Sequence, residues 1–376
     1  MLKKEDNERL VRVGPGTPAG RFLRRFWQPV CLSGDVAPGH VKPIRLMGEE
    51  FTLFRTESGA VKLLADRCPH RGVQLRLGFV DGEGLRCAYH GWKFDGDGRC
   101  SDQPAENRPF LERVAIEAHP AQDYLGLVFV YIGEALAPAM PRLGDYEDDA
   151  LYVREITTET WPCSYFDLLE NATDIAHTAF LHWHFGNKPP ERYDWKESAW
   201  GMEGHFEGQT GKEDLYNRGY FQMPTGAEFA LAGRSGRDGY FTFAWRVPRD
   251  DGSAIRFNLM AFPRSQLKGT TGSPYAALRG LKSANADARD TSDAIRNSQP
   301  IEVVANDLLE GREDMRSLRE RSGSMNYRYL TNLQDLAVLR SLGPPAERRF
   351  SENFGRTDAS IALLRRLFLR EMTALM

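Results

Sequence analysis

Two short stretches constrain this chain more than anything else in it: Cys68-Pro69-His70-Arg71-Gly72 and Cys87-Ala88-Tyr89-His90-Gly91-Trp92. Each offers one thiol and one imidazole beside a glycine, at the tip of a predicted β-hairpin. Zinc fingers usually pair Cys with Cys and His with His at short spacing, whereas each loop here mixes the two. Chance accounts poorly for the pattern. With 8 His in 376 residues, a given Cys has roughly a 2% chance of a His at any stated offset, and the pairing occurs twice. The residues therefore point to an iron–sulfur centre in which two imidazoles replace two thiolates on one iron, a substitution that raises the potential. Cys31, Cys100 and Cys163 have no such company and read as inert thiols.

A second constellation follows. Tyr165 to Leu181 reads as a helix, because Phe166, Leu169, Thr173, Ala176 and Phe180 fall at steps of three or four. It carries Glu170-Asn171-Ala172-Thr173-Asp174-Ile175-Ala176-His177, and His182 and His184 come next. Asn171, Asp174 and His177 would share one helix face. Burying three polar groups there without purpose would cost several kcal/mol. Non-haem Fe(II) sites use two His and one carboxylate and leave positions open for O2. His182 lies about 140° round an ideal helix from His177, so the helix must bend or end between them. By helix geometry His184 would share a face with His177. The carboxylate must come from elsewhere, and Asp307 and Asp335 are the candidates. Asp307 sits among Glu310, Arg312, Glu313 and Asp314, as a solvated charge would. Asp335 stands among apolar residues, where a carboxylate needs a cation or a metal.

Residues 1–40 read as an N-terminal arm with a short helix from Asn7 to Val13. Residues 41–132 read as a small antiparallel β domain. Strands are predicted at Phe51–Arg55, Ala60–Ala65, Arg113–Ala118 and Leu127–Ile132, between turn signals such as Ser58-Gly59 and Asp81-Gly82. Residues 133–150 read as a linker. In 151–376 helix and strand mix: 218–262 alternates like sheet, 263–300 reads as a loop, and Asp358–Met372 reads as an amphipathic helix. The composition, 41% hydrophobic and 27% charged, is that of a globular protein. A net charge of -3 makes no case for nucleic acid or an anionic membrane. No apolar run approaches 18 residues, and the opening Met1-Leu2-Lys3-Lys4-Glu5-Asp6 lacks the apolar core of a secretion signal. Five cysteines are too few for a disulfide framework. A cytoplasmic enzyme with cysteines reserved for metal is the expectation.

These residues resemble the Rieske non-haem iron oxygenases. Respiratory Rieske proteins carry an extra Cys in each loop and a Ser after the final His-Gly; this chain has Val73, Tyr89 and Trp92 at those places. The run Asn171, Asp174, His177, His182 is similar to the oxygenase motif Asn-x-x-Asp-x-x-His-x4-His. That motif implies that His177 and His182 bind iron and that Asp174 does not, and it leaves His184 as a neighbour of the ligands or a packing residue. Gln334-Asp335 followed by Gly343-Pro344, then Asp358 and Arg365-Arg366, looks like the phthalate dioxygenase-like branch, as does the opening from Glu5 to Pro18. On that resemblance Asp335 is favoured over Asp307. The resemblance covers nearly the whole chain and carries no motif between about 190 and 330, the span expected to line the substrate pocket.

The resemblance implies an α+β fold: an N-terminal Rieske [2Fe–2S] antiparallel β domain, then a catalytic domain with a central antiparallel sheet covered by helices. Cys68, His70, Cys87 and His90 would hold the cluster, and His177, His182 and Asp335 the Fe(II). Asp174 and Asn171 would serve catalysis, with Asp174 bridging His177 to His90 of a neighbouring chain in a homotrimer. The implied activity is that of a terminal oxygenase component acting with O2 on a small aromatic or heteroaromatic molecule, or alternatively an oxidative O- or N-demethylase. Electrons would come from a separate NAD(P)H-dependent reductase, since the chain has no Gly-x-Gly-x-x-Gly fingerprint. Two other classes compete. An electron-transfer protein would need only the residues to about 132, and a metal-dependent sensor would bind iron without turning over O2.

Overall fold

A computed structural model describes residues 2–150, 152–185, 188–207, 218–231, 240–264, 300–322, 325, 327–344 and 352–375. The N-terminal third folds into three small antiparallel sheets. One contains β1 (Gln28–Leu32), β10 (Ala121–Tyr124) and β11 (Leu127–Val130) in the order β1-β11-β10. A second runs β2 (Val41–Leu46), β3 (Glu49–Arg55), β4 (Val61–Ala65) and β9 (Ala118–His119). The third runs β5 (Phe79–Asp81), β6 (Gly84–Arg86), β7 (Lys93–Asp95) and β8 (Cys100–Asp102). The last of these carries the second Cys–His loop, between β6 and β7.

Several boundaries differ from the sequence expectations, each for a local reason. The first helix spans Lys4–Val11 and not Asn7–Val13. β1 lies inside the stretch read as an arm and pairs with β11. Its Pro29 argues against a strand, yet the register slips between Pro29 and Cys31, and a bulge is where a strand tolerates proline. Arg113–Ala118 alternates like a strand, but only its last residue, Ala118, enters one, β9. After a 3-10 turn at Leu111–Arg113, it hands its hydrogen bonds from sheet to sheet: Cys100 N donates to Val114 O, Ile116 N to Gly98 O, and Ala65 N to Glu117 O. The linker 133–150 contains a helical turn at Gly144–Glu147. The predicted loop 263–300 falls, over 265–299, outside the described residues.

The C-terminal part is built on a seven-stranded antiparallel sheet. Its order is β12 (Tyr152–Trp161), β18 (Ser253–Pro263), β17 (Tyr240–Asp250), β16 (Gly226–Leu231), β15 (Arg218–Gln222), β14 (Gly201–Glu207) and β13 (Arg192–Ser198). The helix Tyr165–Thr173 packs on β17 and β18, and the C-terminal helix Ala359–Thr373 on β13 and β14. The latter buries Leu363, Leu364, Leu367, Phe368 and Met372 at helical spacing. Phe368 is the hub: its ring meets Phe166 at 5.1 Å, Phe22 at 5.7 Å and Phe221 at 6.3 Å. One side chain thus ties the N-terminal segment, the helix and the sheet into one core. The β2–β3 hairpin tip joins the two parts directly, with Met47 N donating to Pro248 O at 3.0 Å and Arg45 paired with Asp250 at 2.9 Å. Among the described residues no helix is long and apolar enough to cross a membrane.

Candidate active site

The two Cys–His loops are built alike. Cys68 N donates to Val73 O (2.9 Å) and Gly72 N to Cys68 O (2.8 Å); Cys87 N donates to Trp92 O (2.9 Å) and Gly91 N to Cys87 O (3.1 Å). Each turn closes on a glycine at positive φ, 74° at Gly72 and 73° at Gly91, a conformation other residues adopt only under strain. The thiols of Cys68 and Cys87 are buried. Burial, and further the Cys87 thiol beside it, push Cys68 up to about 11 against the opposing N–H of His70. The rings of His70 and His90 lie 4.5 Å apart and are only half buried. Trp92 stacks flat on His70, at 4.3 Å and 7°. Two buried thiols below two partly exposed imidazoles suit a [2Fe–2S] cluster with its His-ligated iron outward.

The second site begins with the helix capped by Ser164, whose hydroxyl accepts from Phe166 N. This helix is shorter than the periodicity predicts, ending at Thr173 instead of Leu181. The Thr173 hydroxyl turns back onto the carbonyls of Leu169 and Glu170, and Asp174 takes an extended backbone. Asp174 Oδ1 then accepts from Ala176 N at 2.9 Å and starts a 3-10 turn over Ala176–Ala179. Asn171, Asp174 and His177 therefore do not lie on one helix face. The same break turns His177 and His182 toward each other, with ring centroids 5.2 Å apart.

Between them stands Asp335, on the helix Tyr327–Ser341. Its Oδ1 lies 3.2 Å from His182 Nε2 and 3.7 Å from His177 Nε2. One ligand atom from each of the three lies within 4.8 Å of the others, the donor set of a two-His, one-carboxylate iron site. Burial works against the charge on Asp335, yet the hydrogen bond and charge of His182, then His177 and Arg256, leave its pKa below the usual carboxylate range. Asn171 Nδ2 donates to Asp335 Oδ1 at 3.3 Å. Asp174 approaches His177 from its other ring nitrogen, Oδ2 lying 3.5 Å from Nδ1. His184 meets Thr331 at 3.1 Å, and Asp307 pairs with Arg312 at 2.7 Å; neither belongs to the trio.

Three contributors were not singled out by sequence reasoning. Gln334 is fully buried, and its Oε1 lies 2.9 Å from His182 Nδ1; its place beside Asp335 in the chain gives it no role by itself. Arg256 pairs with Glu159 at 2.9 Å and donates to Asn332 Oδ1 at 2.8 Å, one turn before Asp335. Arg246 stands directly across the ladder from Arg256 and is buried. Among the described residues its side chain has one hydrogen bond, to Ala244 O at 2.8 Å, and no carboxylate in ion-pair range. Burial, then the Arg256 charge, push its guanidinium down to about 9, while Asp335 and Glu159 act the other way. Only the cross-strand pairing reveals this, since nine residues separate two arginines that face the same way.

Comparison with known proteins adds the following. The model of the Rieske [2Fe–2S] domain matches residues 26–121. The chain is 31% identical over 407 aligned positions to the 3-chlorobenzoate-3,4-dioxygenase oxygenase subunit of Comamonas testosteroni, with 100% of this chain and 89% of that one covered. It is 38% identical over 189 residues to the 5,5'-dehydrodivanillate O-demethylase oxygenase subunit of Sphingobium sp., a match that spans 48% of this chain and only 44% of that relative's length. Among solved structures, NdmA of Pseudomonas putida CBB5 has the same fold, with a TM-score of 0.65 at 20% identity over 93% of this chain and 90% of that one.

Proposed function

The chain belongs to the Rieske non-haem iron oxygenases, and we propose that it is the terminal oxygenase component for an aromatic carboxylate. In this reading Cys68, His70, Cys87 and His90 hold the [2Fe–2S] cluster, and His177, His182 and Asp335 hold Fe(II). The proposed units are a cluster domain over 41–132, extended backward by β1, a linker at 133–150, and a catalytic domain from 151. When bound, the two iron groups supply the one-electron and O2 chemistry. The residues supply position. Gln334 accepts the Nδ1 proton of His182 and so presents Nε2 to the metal. Asp174 does the same for His177, and Asn171 steadies the Asp335 carboxylate.

Arg246 is the observation that carries the substrate class. Among the described residues no carboxylate pairs with its buried guanidinium, a state that costs several kcal/mol, and a substrate carboxylate would relieve it through a charge-assisted, bidentate contact. The relative named for 3-chlorobenzoate is consistent with that chemistry. The relative named as an O-demethylase favours a second outcome on the same site, loss of a methyl group from an aryl ether acid. Electrons would arrive from a separate NAD(P)H-dependent reductase, and three copies would form a trimer in which Asp174 meets the neighbour's His90.

The test supplies holoenzyme, a generic reductase and NADH with aromatic acids, their neutral amides and O-methylated acids. Substrate-dependent NADH and O2 consumption with the acids is expected, and formaldehyde release would identify demethylation. Losing a charged hydrogen bond worth roughly 1.5–3 kcal/mol, Arg246→Met should raise KM for the acids at least tenfold. Equal rates for acids and amides would overturn the carboxylate reading.

A further inference from the structure

The second Cys–His loop is gripped from below. Arg86, the residue before Cys87, donates through Nη1 to Gly91 O at 2.6 Å and to Asp102 Oδ2 at 2.8 Å. Its Nε and Nη2 both reach Asp81 Oδ2, at 2.9 and 2.6 Å. Four N–H groups of one guanidinium are thus engaged, on β5, on β8 and on the loop itself. The first loop repeats the pattern weakly: among the described residues the side chain of Arg67, the residue before Cys68, donates only to Gly72 O, at 3.1 Å and at an exposed position. In each loop the arginine before the Cys holds the carbonyl of the glycine that closes the turn.

The carbonyl held by Arg86 belongs to the residue after His90, so the clasp spans the interval from Cys87 to His90. Gly91 is confined as well: a Cβ there would lie 2.9 Å from Pro104 Cγ. Charge matters beside geometry. Asp81 and Asp102 bring two negative charges under the loop, against Arg86 and Lys93, the latter 3.4 Å from Asp81. With Arg86 the four balance; without it the set carries one net negative charge. A negative charge near a cluster opposes the added electron and lowers the potential.

We infer that Arg86 is a positioning residue for the cluster: its guanidinium fixes the His90 loop and offsets Asp81 and Asp102, holding the potential up. The inference rests on Cys87 and His90 being cluster ligands. The test is a redox titration of full-length holoprotein with EPR of the reduced state, alongside thermal unfolding. Arg86→Gln should broaden the EPR signal and lower the reduction equilibrium constant at least threefold, about 28 mV at ~59 mV per tenfold for one electron. Arg86→Lys should recover most of the potential but not the sharp signal. Asp102→Asn should shift the potential the other way, and Arg67→Gln should shift it by less than half as much as Arg86→Gln. An Arg86→Gln protein with native potential and spectrum overturns the inference. So does an equal shift in Arg67→Gln. If Arg86→Gln assembles no cluster, the sign of the Asp102→Asn shift decides, and no upward shift counts against the inference. A native protein without a Rieske EPR signal would instead sink the ligand assignment.

Discussion

At the scale of single residues, the contrast between Asp335 and Asp307 shows how environment sorts identical side chains. Asp335 is 5% exposed and faces two imidazoles; Asp307 shares a half-exposed ion pair with Arg312. Removing the first deletes one of the three donors that lie within 4.8 Å of one another. Removing the second costs at most an exposed ion pair, about 0–1 kcal/mol. Asp335→Ala should therefore fall from about three irons per chain to about two, while Asp307→Ala keeps all three. Iron analysis with EPR of the cluster checks both, and the assignment fails if Asp307→Ala is the variant that loses iron.

At the scale of elements, the helix Tyr165–Thr173 is held from its far side by the C-terminal helix. Arg365 Nε donates to Glu170 Oε1 at 2.7 Å, and its two terminal nitrogens reach Glu352 at 2.6 and 3.0 Å. Burial disfavours the charge, yet Glu352 and Glu170 together raise the Arg365 pKa above its usual value. Tyr193 adds a second tie, its hydroxyl donating to Thr173 O at 3.1 Å and lying 2.8 Å from Ser360 Oγ. Breaking a buried pair by removing one partner typically costs about 3–5 kcal/mol. Since Glu352 is partly exposed, Arg365→Met should cost about 3 kcal/mol, read as a lower urea midpoint. An unchanged midpoint would mean that apolar packing around Phe368 carries the junction alone.

At the scale of the molecule, the proposed electron route runs between chains. Exposed Tyr89 lies 3.8 Å from the His90 ring, exposed Phe110 meets Trp92 at 5.5 Å, and Phe180 is 71% exposed between His177 and His182 in the chain. Apolar surface at both ends of a route suits a head-to-tail contact closed by three-fold rotation. Asp174 would then accept from His177 on one side and from the neighbour's His90 on the other. Asp174→Asn keeps the size and removes the charge and one acceptor. It should keep the oligomeric state of the native protein, its cluster and most of its iron, yet its reduced cluster should stay reduced when substrate and O2 are mixed in. Normal reoxidation in stopped flow would refute the bridge, and loss of iron would make Asp174 a ligand.

Family and cofactors were readable in the sequence because they rest on local spacing, and the fold class followed from the resemblance that spacing carries. Cys68 with His70 and Cys87 with His90 lie within a few residues of one another, so the chain alone brings thiol and imidazole together on one turn. His177 and His182 are likewise neighbours in the chain. What local spacing misjudged was the backbone between them: periodicity extends the helix to Leu181, while the Thr173 hydroxyl and the Asp174 side chain stop it eight residues earlier. The tertiary structure alone decided the rest, because those partners are far apart in sequence. It put Gln334 behind His182, paired Arg365 with Glu170, and set Arg246 across the ladder from Arg256; for Asp335, which its surroundings in the sequence already favour, it supplied the approach to His182 across 152 intervening residues. Such contacts depend on which helix covers which strand, and that is fixed by burial of the whole core around Phe368, a quantity no short window of sequence contains.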